Sequence, residues 1–102
     1  SIRKRVVAAR ERSVARWSRA GVRARSNRDV DSQVLRREVP ADDAAMALLA
    51  AYLGNGDVSQ RGVDRMLKLA WTIADLAGAS RPGLDHVAQA FELHGAPVEV
   101  AA

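Results

Sequence analysis

The sequence predicts an all-α protein, a small orthogonal helical bundle preceded by a long basic helix. Three observations predict it. Ala and Arg dominate the 102 residues while Phe and Tyr occur once each, a usage that favours helix over sheet. Apolar residues recur at the i, i+3, i+4 spacing of a helix face in successive segments, and no internal repeat or convincing strand interrupts them. The segments are separated by capping residues, Gly and Pro, which supply starts and stops.

The elements follow in order. Ser1 to about Ala20 is expected to be a helix, with Ile2, Val6, Ala9, Ser13, Trp17 and Val7, Val14 at helical spacing and arginines filling the rest. Gly21 to Asp31 mixes Gly, Ser, Asn, Asp and more Arg without a period, and is expected to be a loop. A short helix is expected at Asp31 to Arg37, capped by Asp31 or Ser32 and stopped by Pro40. Ala41 to Leu53 is the next helix, with Asp42 and Asp43 at the positive end of its dipole and Ala45, Leu48, Leu49 and Leu53 inward. Gly54-Asn55-Gly56 ends it. Asp57 or Ser59 caps a long helix running to about Ala77, with Gly78 placed to close it. Its apolar stripe is Val63, Met66, Leu67, Ala70, Ile73, Ala74 and Ala77. A last helix runs from about Leu84 to Leu93, with Val87, Ala90, Phe91 and Leu93 inward, before Gly95 and Pro97.

Length and composition bound the function. The chain has room for one domain, with 48% apolar and 27% charged residues. It has no Cys, which removes disulfides, thiolate metal sites and cysteine nucleophiles together. No apolar run approaches the roughly 18 to 20 residues of a membrane span, and a cytoplasmic setting is the expectation. His86 and His94 stand eight residues apart without a close carboxylate pair, so no metal site is expected. There is no glycine-rich phosphate loop, no HExxH and no locally spaced Ser, His and Asp set, so the chain by itself is not expected to be an enzyme.

Charge is uneven. Ser1 to Glu38 carries +8, while Val39 to Ala102 carries −4. A basic arm thus leads an acidic body, and it could meet nucleic-acid phosphates, a nucleotide or an acidic protein surface. On the long helix, Arg61, Arg65, Lys68 and Thr72 are spaced 4, 3 and 4 apart, forming one polar stripe away from Val63, Met66, Leu67 and Ala70. Arg61 in the first turn, beside free backbone N–H groups, suits a phosphate. The plainer alternative is a solvated face with an Asp64 to Lys68 pair.

The block from Val58 through Ser59-Gln60-Arg61 to Thr72-Ile73-Ala74-Asp75-Leu76-Ala77-Gly78, followed by His86-Val87-Ala88-Gln89-Ala90-Phe91, resembles the C-terminal lid of the magnesium-chelatase-like AAA+ ATPases of the ComM/YifB type. That family reads LSxRxxxRxLRVARTIADLxG and then PEHLAEAL. Ile2 to Arg16 is similar to its IRxRVxxARxxQxxR helix, so the resemblance covers about residues 1 to 94. It implies a basic connector helix and loop over 1–30 leading from an ATPase core, a helical lid over 31–95, and a flexible tail over 96–102. It also implies that Arg61, the arginine of the SxR motif, is the sensor 2 residue reaching the γ-phosphate of ATP held by the core, with Ser59, Arg65 and Lys68 in support. A planar, permanently charged fork suits that task, because it can hold a phosphate oxygen and register its loss. Arg3, Arg10, Arg12 and Arg16 would contact DNA or the core.

ATP and Mg2+ are implied for the whole protein, none for this segment, which lacks Walker A and B motifs. The implied partners are the upstream core and further copies in a hexamer, with DNA as substrate of the motor. Departures from the pattern are specific. Leu67-Lys68-Leu69-Ala70-Trp71 stands where the family has LRVAR, so Lys68 keeps charge without the fork. Gly54-Asn55-Gly56-Asp57 lengthens the turn before SxR. Two other readings stand beside this one: a free-standing basic helical DNA-binding module with Arg61, Arg65 and Lys68 on its recognition helix, and a subunit of a true magnesium chelatase.

Overall fold

The computed structural model describes residues 1–22, 26–38 and 40–95. The tail expected over 96–102 lies outside the described residues. The elements are α1 (Ile2–Arg19), a 3-10 turn (Asn27–Asp29), α2 (Ser32–Glu38), α3 (Asp43–Gly54), α4 (Gln60–Ala77) and α5 (Leu84–Gly95). The described residues form no strand. The all-α expectation, a helical bundle led by a long basic helix, therefore holds.

Caps explain the boundaries. Asp42 rather than Ala41 starts α3, because its carboxylate accepts the Ala45 N–H at 2.9 Å while Ala41 is buried. Asp31 does the same for α2 through the N–H groups of Gln33 and Val34. Ser59, not Asp57, caps α4, with its Oγ accepting the Gly62 N–H at 3.1 Å. At the far end of α4 the Ala79 N–H reaches back to the Ala74 carbonyl at 2.9 Å, a closure that needs a left-handed residue, supplied by Gly78 at φ +77°. Gly56 at φ +77° closes α3 in the same way, with the Asp57 N–H on the Tyr52 carbonyl at 3.0 Å. Before α5, the Gly83 N–H donates to His86 Nδ1 at 2.9 Å, the returning half of a capping box.

The core lies around α4, which packs on α1, α2, α3, α5 and the 3-10 turn. Val63, Met66, Leu67, Ala70 and Ala74 are buried as expected, but Ile73 is half-buried and Ala77 exposed. Gly62, Trp71 and Asp75 are buried as well: α1 and the 3-10 turn cover Trp71 and Asp75 on a second side of the helix, and His94 of α5 lies over Gly62. Across the bundle, Tyr52 of α3 stacks on Phe91 of α5 with ring centroids 4.0 Å apart. Leu53 and Leu93, expected inward, are exposed at the helix ends.

The largest difference concerns α1. Of its apolar positions only Ala9 and Trp17 are buried, joined by Ser13, an i, i+4, i+8 stripe that follows α4. Ile2 is 80% exposed, Val7 47% and Val14 49%. The physical reason is reach. Arg12 already lies at Gly78, past the last turn of α4, so the start of α1 around Ile2 projects beyond its support, while Val6 and Ala9 still face Thr72 and Leu76 across a cleft, and Val7 and Val14 sit on another face of the helix.

Candidate functional site

The two ends of α4 carry the charged groups of interest. At its start, the Ser59 cap fixes the first turn, and the following residue pair places Arg61 in solvent. Gly62 allows α5 to approach closely. A Cβ there would stand 3.2 Å from His94 Nε2 and 3.3 Å from Val58 Cβ. Arg65 is exposed one turn later, and Lys68 is half-buried. A groove of about 440 Å³ runs along this side, lined by Arg65, Lys68, Leu69 and Thr72. Neither Arg61 nor Arg65 has an ion-pair partner among the described residues. Asp64, beside them, is engaged by Arg36 of α2 and by Gln60 Nε2 at 3.2 Å. The stripe expected from the sequence thus lies on one polar face, exposed at Arg61, Arg65 and Thr72 and half-buried at Lys68.

At the other end stands a polar cluster that the sequence reading did not assemble. Asp75 of α4, its side chain 2% exposed, takes both fork nitrogens of Arg16 from α1, at 2.6 and 2.7 Å. The 3-10 turn inserts Asn27 between them. Asn27 Oδ1 accepts from Ser13 Oγ at 3.0 Å, Arg16 Nη2 at 2.8 Å and Trp17 Nε1 at 3.0 Å. Its Nδ2 donates to Thr72 Oγ1 at 3.1 Å and to Asp75 Oδ2 at 2.9 Å. The Arg16 guanidinium lies 3.9 Å from the Trp71 ring centroid and 4.6 Å from that of Trp17, and the two indoles meet edge to face at 5.9 Å. Arg12 adds an Nη1 bond to the Asp75 carbonyl at 2.5 Å. Because α4 has no basic residue in its last turn, α1 supplies the cation that its negative end favours. A cleft of about 290 Å³ opens beside this cluster, lined by Val6, Ala9, Arg10, Thr72 and Leu76 among others.

Four α1 arginines were candidates for outward contacts. The structure leaves Arg3 and Arg10 exposed without an ion-pair partner among the described residues, and turns Arg12 and Arg16 onto α4. A signal for this existed in the sequence. Arg12 and Arg16 are spaced i, i+4 on one helix, as are Trp71 and Asp75 on the other, which is the pattern of two facing patches. Among the described residues no group of three or more His, Asp or Glu could hold a metal ion.

Residues 1–94 match the family model described as magnesium chelatase, subunit ChlI C-terminal. The chain belongs to that family. It is the C-terminal helical domain of a magnesium-chelatase-like protein. Uncharacterized proteins of Mycobacterium bovis and of Mycobacterium tuberculosis are each 46% identical to it over 90 residues, 88% of this chain. The domain spans 18% of the length of those relatives. No solved structure gives a significant match. Within the ChlI C-terminal domain both segments of interest, the Ser59 to Gly78 helix and the Ile2 to Arg16 helix, fall inside the matched residues. No helix among the described residues is long and apolar enough to cross a membrane.

Proposed function

We propose that this domain is the lid of an ATP-driven AAA+ motor, and that Arg61 is its sensor 2 arginine. The observation that carries the reading is the placement of Arg61: exposed, unpaired among the described residues, in the first turn of a helix whose start is fixed by the Ser59 cap. A guanidinium fork held there presents its donors outward, beside the positive end of the helix dipole, where a phosphate oxygen is favoured. Arg65 and Lys68 extend the same positive face.

The residues present fit the phosphate end of a nucleotide and no more. ATP and its Mg2+ would be held by an ATPase core elsewhere in the longer protein, which supplies the Walker groups, and the lid would act within a hexamer in the cytoplasm. The chemistry belongs to that core. This domain's part is to engage the γ-phosphate through Arg61 and to release it once the bond is broken. Purified alone, the domain is expected to show no ATP hydrolysis.

The test uses the full-length protein. Arg61→Ala is expected to lower ATP turnover on the order of 100-fold, as loss of one preorganised charge donor does, while the melting temperature of the domain stays unchanged because Arg61 is exposed. Turnover equal to the parent's would remove the sensor assignment.

DNA as the motor's substrate is supported by Arg3 and Arg10, exposed on α1 without ion-pair partners among the described residues. Binding by such contacts weakens as salt rises, each phosphate contact adding about 0.9 to the logarithmic salt slope. Arg3→Glu with Arg10→Glu is expected to flatten that slope by about 2; an unchanged slope would place any DNA contact elsewhere in the protein.

A further inference from the structure

The packing of α1 adds a polar joint to its share of the apolar core. The α3, α4 and α5 helices share an apolar core that α1 enters through Trp17, with Ala9 and Ser13 buried beside it, and α1 is otherwise joined by directed polar bonds. The joint is over-determined. A bidentate ion pair, an asparagine with five hydrogen bonds, two guanidinium–indole contacts and the Arg12 bond to the Asp75 carbonyl all meet between Arg12 and Trp17 of one helix and Trp71 and Asp75 of the other. Apolar contacts tolerate sliding. A forked ion pair with a shared asparagine does not, because each partner's angle and distance are fixed at once.

The position of the joint along the helices is the second observation. Going from Arg12 to Trp17, α1 passes from Gly78 to Trp71 of α4, so the helices run antiparallel where they overlap. Asp75 is 14 residues from Arg61, and Arg16 is 14 residues from Ile2. At 1.5 Å per residue each arm is about 21 Å long. Arg61 and the start of α1 therefore lie at opposite ends of a two-armed body with the joint between its arms.

We propose that the Arg16–Asp75–Asn27 clamp makes α1 and α4 one rigid lever, with Asp75 as the positioning residue that carries a displacement of the Arg61 end of α4 to the projecting start of α1 at close to equal amplitude. The proposal rests on the sensor reading for what moves the lever, but not for the lever itself. Rigid-body movement of packed helices is the ordinary way a small shift at a ligand is delivered at a distance. Here the element that transmits it is defined by named bonds rather than by proximity.

The test exploits the absence of native cysteine. Spin labels are placed through Lys4→Cys on α1 and Gln60→Cys at the start of α4, both exposed, and their distance distribution is measured in the 102-residue chain without nucleotide. The expected result is one narrow distance, lost as a single narrow peak when Asp75→Asn is added, with helix content retained. Arg16→Lys, which keeps the charge and removes the fork, is expected to broaden the distribution as well. A broad or double distribution in the unsubstituted clamp overturns the lever, as does a peak left unchanged by both clamp variants. If either variant unfolds the domain, Asn27→Ser, which shortens the central side chain, replaces it under the same criterion. In the full-length protein the lever predicts that Arg16→Lys lowers kcat for ATP while leaving KM near the parent value. If Arg61→Ala is silent there, the sensor reading fails while the distance measurement still decides the lever.

Discussion

Asp75 is a residue whose loss cannot be absorbed locally. Its carboxylate is buried against Arg16 and Asn27. Removing one partner of such a buried pair leaves the other charge stranded, at a cost of about 3–5 kcal/mol. Asp75→Ala is therefore expected to lower unfolding free energy in urea by that amount, and a loss below about 1 kcal/mol would mean that the pair behaves like an exposed one. Asn27→Ala is expected to be nearly as damaging although it removes no charge. Its side chain satisfies the Ser13 hydroxyl, the Trp17 indole and one Arg16 nitrogen, and each buried group left unpaired costs about 1–3 kcal/mol. The Arg16 Nε is already buried without a hydrogen-bond partner in the described structure, so the cluster has little slack for a further orphan. Arg61 stands at the opposite extreme. Its side chain is exposed, and its replacement is expected to be invisible to denaturation and visible only to nucleotide.

At the scale of the element, α4 is defined by its two ends. Ser59→Ala is expected to cost about 1 kcal/mol by freeing the Gly62 N–H. Gly78→Ala is expected to cost about 1–2 kcal/mol, because an L side chain is strained in the left-handed conformation that closes the helix. Both are read in the same urea titration, and a neutral Gly78→Ala would mean that the closure had been rebuilt. The closing end was legible in the sequence because capping is local chemistry, Gly78 standing after a periodic run, whereas the starts were legible only to within a residue or two: Asp57 and Ser59 both offered a cap for α4, and Asp42 read as a first-turn residue of a helix from Ala41 rather than as its cap. Which side of a helix is covered is not local. The spacing of Val7 and Val14 on α1 matches that of Ala9, Ser13 and Trp17 well enough for a helical stripe, yet only the second set meets α4. The same limit hid Asp75. A lone carboxylate on a helix reads as a solvated charge until a facing helix is known to bring an arginine to it.

For the whole molecule, charge and stability separate. The basic segment carries +8, yet among the described residues its arginines hold structure through the buried Arg16–Asp75 and the half-buried Arg36–Asp64 pairs. The cations left exposed on α1, among them Arg3, Arg5 and Arg10, repel one another more than they pair. Raising salt from about 0.05 to 0.5 M screens that repulsion and barely touches the buried pair. The melting temperature is expected to hold or rise slightly over that range, whereas a clear fall would show that surface pairs carry stability. The division of labour also explains what the sequence could offer about the site. The polar stripe of Arg61, Arg65 and Lys68 depends on one helix and could be read from its spacing, while the clamp depends on three segments far apart in the chain, Arg12 to Trp17, Asn27 and Trp71 to Asp75. Its assembly is a tertiary fact.

The protein has two tryptophans, and both border the Arg16 guanidinium. Intrinsic fluorescence therefore reports on the seating of α1 against α4, while Tyr52, stacked on Phe91 across the bundle, gives the near-ultraviolet dichroism of the α3 and α5 side its own chromophore. The indole pair, coupled edge to face at 5.9 Å, adds an exciton signal that vanishes once the rings part. A melt followed in the two channels distinguishes one cooperative unit, in which the curves superimpose, from a bundle that outlives its first helix, in which emission shifts red while the tyrosine band persists.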